Sequence, residues 1–82
     1  MKFKRGVYIV CKDNYLSGRD TFLTIGKIYR VVEDSYIDYP DYNIAIEFVY
    51  VINNMGEKIE YNVNRFVLLS EYRIDIINEI LV

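Results

Sequence analysis

A mainly-β fold, a small antiparallel barrel of about five strands, is what this sequence predicts, and three observations predict it. Short apolar or alternating runs recur between residues 6 and 69, turn residues separate them at close spacing, and no helical pattern intervenes. Nine Tyr and four Phe, with no Trp, favour strands. Closure also suits the composition, because a barrel hides edges that would leave the very apolar run at 44–52 open to aggregation.

The first strand follows Gly6: Val7, Ile9 and Cys11 alternate with Tyr8, Val10 and Lys12, and nearly every position is apolar or aromatic, as in a strand buried on both sides. Residues 13–20, centred on Ser17 and Gly18, read as a loop. Residues 27–33, KIYRVVE, form a β-branched second strand. Next comes DSYIDYPDYN, residues 34–43, which reads as a loop because Pro40 cannot donate a ladder hydrogen bond.

In residues 43–53, Ile44, Ile46, Phe48, Tyr50 and Ile52 share one face at period two, which predicts a long central strand. Asn53, Asn54, Met55 and Gly56 turn the chain into residues 57–63, where Ile59, Tyr61 and Val63 mark a dry face and Lys58, Glu60 and Asn62 a wet one. After an irregular step at 64–66, residues 67–69 form the closing strand. Ser70 then caps a helix through Val82, with Tyr72, Ile76, Ile77, Ile80 and Leu81 on one face. Alternation at 73–77 leaves a strand open as the other reading. The expected organisation is therefore one domain over 1–82, a barrel at 6–69 and an extension at 70–82 that packs on the barrel or joins two copies.

Composition excludes several chemistries. Without histidine and with Cys11 as the only cysteine, there is no internal disulfide, no Cys/His zinc site and no Ser-His-Asp or Cys-His catalysis. Cys11 itself reads as a core thiol. A lone Gly26 before Lys27 makes no phosphate loop. Asp34, Asp38 and Asp41 lack the spacing of a calcium loop. The expectation is a protein that is not an enzyme and uses no cofactor or metal. The opening MKFKRGVYIVCKD is not a signal peptide, since Lys12 and Asp13 break its apolar run, and no stretch approaches the roughly 20 apolar residues of a membrane span. A cytoplasmic protein is expected.

Four stretches carry a resemblance: residues 10–13, "LTIGKIYRV" at 23–31, "YVINNMGE" at 50–57 and "YNVNRF" at 61–66. Together they are similar to a family of short phage and prophage proteins, mostly of unknown function, built as SH3-like barrels. The resemblance implies an SH3-like barrel in which Gly26 permits a bend, Tyr29 and Val31 enter the core and Phe66 plugs the barrel end. It also implies a phage-encoded protein acting in the host cytoplasm, and it transfers no catalytic residue. The chain departs from the family pattern by the added residues of 34–48 and by the tail after Ser70, and a function grafted onto a generic barrel is expected at such additions.

Charge and aromaticity single out the first addition. Net charge is only −2, yet residues 1–30 hold seven Lys/Arg against two acids, while residues 31–60 hold seven acids against Lys58 alone. Asp34, Tyr36, Asp38, Tyr39, Asp41 and Tyr42 are the expected partner-binding residues: tyrosines give contact area at low entropic cost, and carboxylates steer a basic partner. The functional expectation is a protein-binding module, an anti-CRISPR-like inhibitor of a host protein that handles nucleic acid or serves defence. A barrel that binds nucleic acid directly through Lys2, Lys4, Arg5 and Lys12, or a structural accessory protein, is the alternative.

Overall fold

A computed structural model describes residues 2–16 and 19–72. Its strands are β1 (Tyr8–Cys11), β2 (Tyr15–Leu16), β3 (Arg19–Asp20), β4 (Ile28–Asp41), β5 (Ile44–Ile52), β6 (Lys58–Asn62) and β7 (Phe66–Leu68), with a 3-10 turn at Val63–Arg65. Five of them make one antiparallel sheet in the order β6-β5-β4-β1-β7, and β2 and β3 pair as a separate small hairpin. The fold is mainly β, and a meander flanked by the first and last strands is the order of an SH3-like barrel.

The core is made where these strands curl over one another. Ile9 and Cys11 from β1, Tyr29 and Val31 from β4, Val49 and Val51 from β5, Tyr61 from β6 and Phe66 from β7 form one buried cluster, joined by Phe3, Leu23 and Val63. Phe66 is fully buried, and the rings of Tyr29 and Tyr61 meet it edge-on, with centroids 6.2 and 6.3 Å away. Val10 is buried too, so β1 is dry on both faces from Ile9 to Cys11, while Tyr8, on the face of Val10, is exposed. Gly26 has φ of +85°, which only glycine adopts without strain, and it turns the chain into β4 beside the Tyr72 hydroxyl.

Two expectations need correction, and the direction of the β5 faces, which periodicity leaves open, is decided. Residues 34–41 are not a loop: they continue β4, and only Tyr42 and Asn43 turn the chain before β5. Pro40 is tolerated because the pairing skips it. Asp38 faces Ile46 and Asp41 faces Ile44, so Tyr39 and Pro40 bulge opposite Ala45 and need donate nothing to the ladder. Residues 13–20 contain the β2–β3 hairpin rather than a plain loop. On β5, the face carrying Ile44, Ile46, Phe48, Tyr50 and Ile52 points outward, and Val49 and Val51 turn into the core.

The chain is helical at 69–72. The rest of the predicted C-terminal helix, with Ile76, Ile77, Ile80 and Leu81, lies outside the described residues. Among the described residues no helix is long and apolar enough to cross a membrane.

Candidate functional site: an acidic, tyrosine-bearing arm

β4 is irregular by design of its sequence. Register shifts occur between Val31 and Glu33, between Glu33 and Tyr36, and between Asp38 and Asp41, so β4 carries extra residues at three places against β5. Each bulge bends the strand and adds twist. The first two sit where β4 leaves the core. Beyond them β4 and β5 continue as a two-stranded arm, residues 36–47, reaching about 20 Å at the usual rise per residue.

The root of the arm is fastened by the N-terminal segment. Phe3 is fully buried there, its N–H donates to Ser35 Oγ at 3.0 Å, and Ser35 N–H returns a bond to Phe3 O at 2.8 Å. Arg5 N–H donates to Asp34 Oδ1 at 2.7 Å, and Gly6 N–H donates to Val31 O at 2.8 Å. Glu47, on β5, accepts from the Ser35 hydroxyl and from Lys2 N–H. Burial pushes the Glu47 carboxyl up, but these hydrogen bonds and the positive charges of the amino terminus and Lys2 outweigh it, and its pKa lies below the ordinary value. Asp34 is thus a fastening residue of the root.

Tyr36 also belongs to the root. On the outer face its ring stacks on Tyr50 at 5.8 Å and packs on Phe48 at 5.7 Å, while its hydroxyl donates to Glu60. That bond to a carboxylate holds the Tyr36 phenol well above the usual range. Lys58 completes the face, lying over the Tyr50 ring and pairing with Glu33.

The remaining four predicted residues crowd the distal end. Tyr42 is fully exposed at the turn and Tyr39 is 67% exposed, with Ile37 and Ile44 also open to solvent. Asp38 Oδ1 accepts from Tyr39 N–H at 2.9 Å and Asp41 Oδ1 from Tyr42 N–H at 2.6 Å, so each carboxylate is locked beside the tyrosine that follows it. Neither turn residue has positive φ. The hairpin therefore does without the primed turn usual for two-residue connections, and the bulge at Tyr39–Pro40 supplies twist instead. No Lys or Arg occurs from residue 31 to residue 57, so nothing along the arm neutralises Asp38 and Asp41.

The six residues predicted from sequence consequently divide: Asp34 and Tyr36 at the root, Asp38, Tyr39, Asp41 and Tyr42 at the tip. Sequence reasoning missed Ile37 and Ile44. The signal was available, since two apolar residues flank the turn, but a loop reading gives them no face to share.

Among the described residues no cluster of three or more acidic, Cys or His side chains is arranged to hold a metal ion. The structure defines a small β-barrel bearing a projecting acidic and aromatic hairpin. Comparison with protein-family models, with curated proteins and with solved structures finds no match to this chain.

Proposed function

We propose that the protein is a non-enzymatic binding module whose arm docks on a partner protein with a basic surface. The observation that carries this is the tip: Tyr39 and Tyr42 stand in solvent beside Asp38 and Asp41. A monomer gains nothing from leaving tyrosines so placed, whereas a partner gains rigid contact area and electrostatic steering. An acid beside an aromatic ring imitates, in charge and shape, a phosphate beside a base. With the resemblance to phage barrels, this favours a host protein that handles nucleic acid or serves defence as the target, inhibited in the host cytoplasm.

The test uses the intact protein as bait in a bacterial lysate, with mass spectrometry of what it captures, alongside two variants. Replacing Tyr39 and Tyr42 by Ala should abolish capture of a basic protein, and replacing Asp38 and Asp41 by Asn should slow association with an effect that shrinks as salt rises. Each anchoring tyrosine should contribute about 2 kcal/mol or more to binding. Equal capture by the wild type and both variants would end this reading. Nucleic acid binding that tightens when the Asp residues are neutralised and weakens when Lys2, Lys4, Arg5 or Lys12 is replaced would establish the alternative.

A further inference from the structure

Among the described residues, pairing geometry leaves one side of β6 open. The hairpin bond from Asn53 N–H to Glu57 O, 2.9 Å, sets the phase of the ladder, in which Val51 faces Ile59 and Val49 faces Tyr61. Antiparallel ladders alternate, so Ile59 and Tyr61 turn their N–H and C=O groups toward β5, and Lys58, Glu60 and Asn62 turn theirs away from it. β6 ends the sheet, with β5 as its neighbour.

An edge of this kind is normally guarded by charged side chains held over it. Here the candidates point elsewhere. Lys58 reaches back across the sheet to Glu33 on β4, Glu60 takes the Tyr36 hydroxyl, also on β4, and Asn62 Oδ1 caps Asn64 N–H at 2.9 Å. Among the described residues, no strand pairs with the outer backbone of the edge.

Alongside runs a groove of about 490 Å³, bordered by Thr21, Phe22, Glu57, Ile59, Tyr61 and Arg65. Its far wall is rigid. Asn54 N–H donates to Phe22 O at 2.8 Å, the Tyr61 hydroxyl donates to Thr21 O at 2.6 Å, and Phe22 is held at φ +57°, a conformation rare for a bulky side chain. Phe22 and Ile59 remain partly exposed in it. Glu57 stands before β6 and Arg65 after it, so the groove is acidic at one end and basic at the other.

We propose that the free edge of β6 accepts an extended segment of a partner protein as an added strand. That segment places alternate apolar side chains in the groove against Phe22, Ile59 and Tyr61, and basic side chains on the opposite face beside Glu60. Main-chain hydrogen bonds to Lys58, Glu60 and Asn62 give it affinity, and the groove gives it spacing. A second copy of this chain fits less well, because its β6 would bring Lys58 and Glu60 into cross-strand pairing only by breaking their bonds to Glu33 and Tyr36. The proposal stands apart from the arm: neither Tyr39 nor Tyr42 borders the groove.

The probe is a capped peptide of alternating Lys and Val, about eight residues long, titrated into the full-length protein and followed by backbone amide resonances. Saturable binding with shifts centred on Lys58, Glu60 and Asn62 is expected. The same peptide with alternate backbone nitrogens methylated, so that it cannot pair, should bind at least about tenfold more weakly. A Glu60→Pro variant, which removes an outward donor but no bond to β5, should lose binding comparably, and more than Glu60→Gln, which gives up the charge of the carboxylate but keeps the outward N–H. Should Glu60→Pro not fold, the methylated peptide on the wild-type protein decides the matter alone. Equal binding of both peptides, shifts confined to the arm, equal binding of an alternating Glu and Val peptide, or a β6-mediated dimer that excludes the probe would each overturn the proposal.

Discussion

Residues 28–35 and 36–41 belong to one strand, yet they meet opposite surroundings. In the first half the burial alternates, with Tyr29, Val31 and Ser35 inside and Arg30, Glu33 and Asp34 outside, because the sheet curls there around Phe66 and the β5 valines. In the second half no side chain is fully covered: Tyr36 lies partly sheltered on Phe48, and everything after it is exposed. Hydrogen bonding continues along both halves, so backbone pairing alone does not decide what is core. The difference comes from what lies behind the ladder. The N-terminal segment and β1 back the first half, and nothing among the described residues backs the second.

The largest effect expected from this contrast is in stability. Phe66→Ala empties the centre of the core and should cost about 3–5 kcal/mol, read as a large drop in denaturation midpoint, whereas Tyr42→Ala should change stability by less than about 0.5 kcal/mol. A comparable loss at Tyr42 would mean that the arm is part of the folding unit, and the contrast would fail.

The root should lie between these extremes. Ser35→Ala leaves Phe3 N–H without its acceptor and should destabilise by about 1–3 kcal/mol, with hydrogen exchange rising in residues 2–7 and in the arm before the core strands. Acid should act on the same joint. Glu47 is depressed in the folded state, so its contribution is present above the ordinary glutamate pKa and is lost as pH falls through its lower folded value. Glu47→Gln should flatten that acid-side decline. An unchanged acid transition in Glu47→Gln would remove the carboxylate from the fastening of the arm.

A smaller effect is expected at Tyr36. Tyr36→Phe keeps the stack on Phe48 and Tyr50 and removes only the bond to Glu60, for about 0.5–1.5 kcal/mol. Because the folded pKa of Tyr36 is raised, the stability it contributes is complete below the ordinary phenol pKa and declines above it. An ultraviolet titration should therefore show a late-ionising tyrosine that disappears in Tyr36→Phe.

The smallest effect belongs to Lys58 and Glu33, both about half exposed. Lys58→Met should alter stability by no more than about 1 kcal/mol, and less at high salt. A larger loss would show that the outer face, with Lys58 over Tyr50, contributes to the fold as much as the inner one does.

The barrel was legible because its signals are local. Alternation at 57–63, the turn residues at 53–56 and the β-branched run at 27–33 each restrict the backbone within a few residues; alternation put Tyr61 on the dry face, and the resemblance to phage barrels implied Tyr29, Val31 and Phe66 as core positions. Where both faces of a strand are apolar, as on β5, periodicity carries no direction. Ile44, Ile46, Phe48, Tyr50 and Ile52 correctly share a face, but which face is buried depends on how β4 bends, and that is set by bulges involving residues from two strands.

Alone, the amino-acid sequence determined a small mainly-β domain, the absence of His and Cys pairs, and an uninterrupted acidic stretch rich in tyrosine. Tertiary structure decided that this stretch is a paired arm rather than a loop, because Pro40 falls in a bulge where its missing N–H costs nothing. It also decided that Asp34 and Tyr36 fasten the root while Asp38, Tyr39, Asp41 and Tyr42 reach solvent, and that β6 has β5 as its one strand neighbour among the described residues. These outcomes depend on contacts with Phe3, Glu47 and Glu60, distant along the chain, and no local propensity encodes a partner that arrives only when the chain has folded.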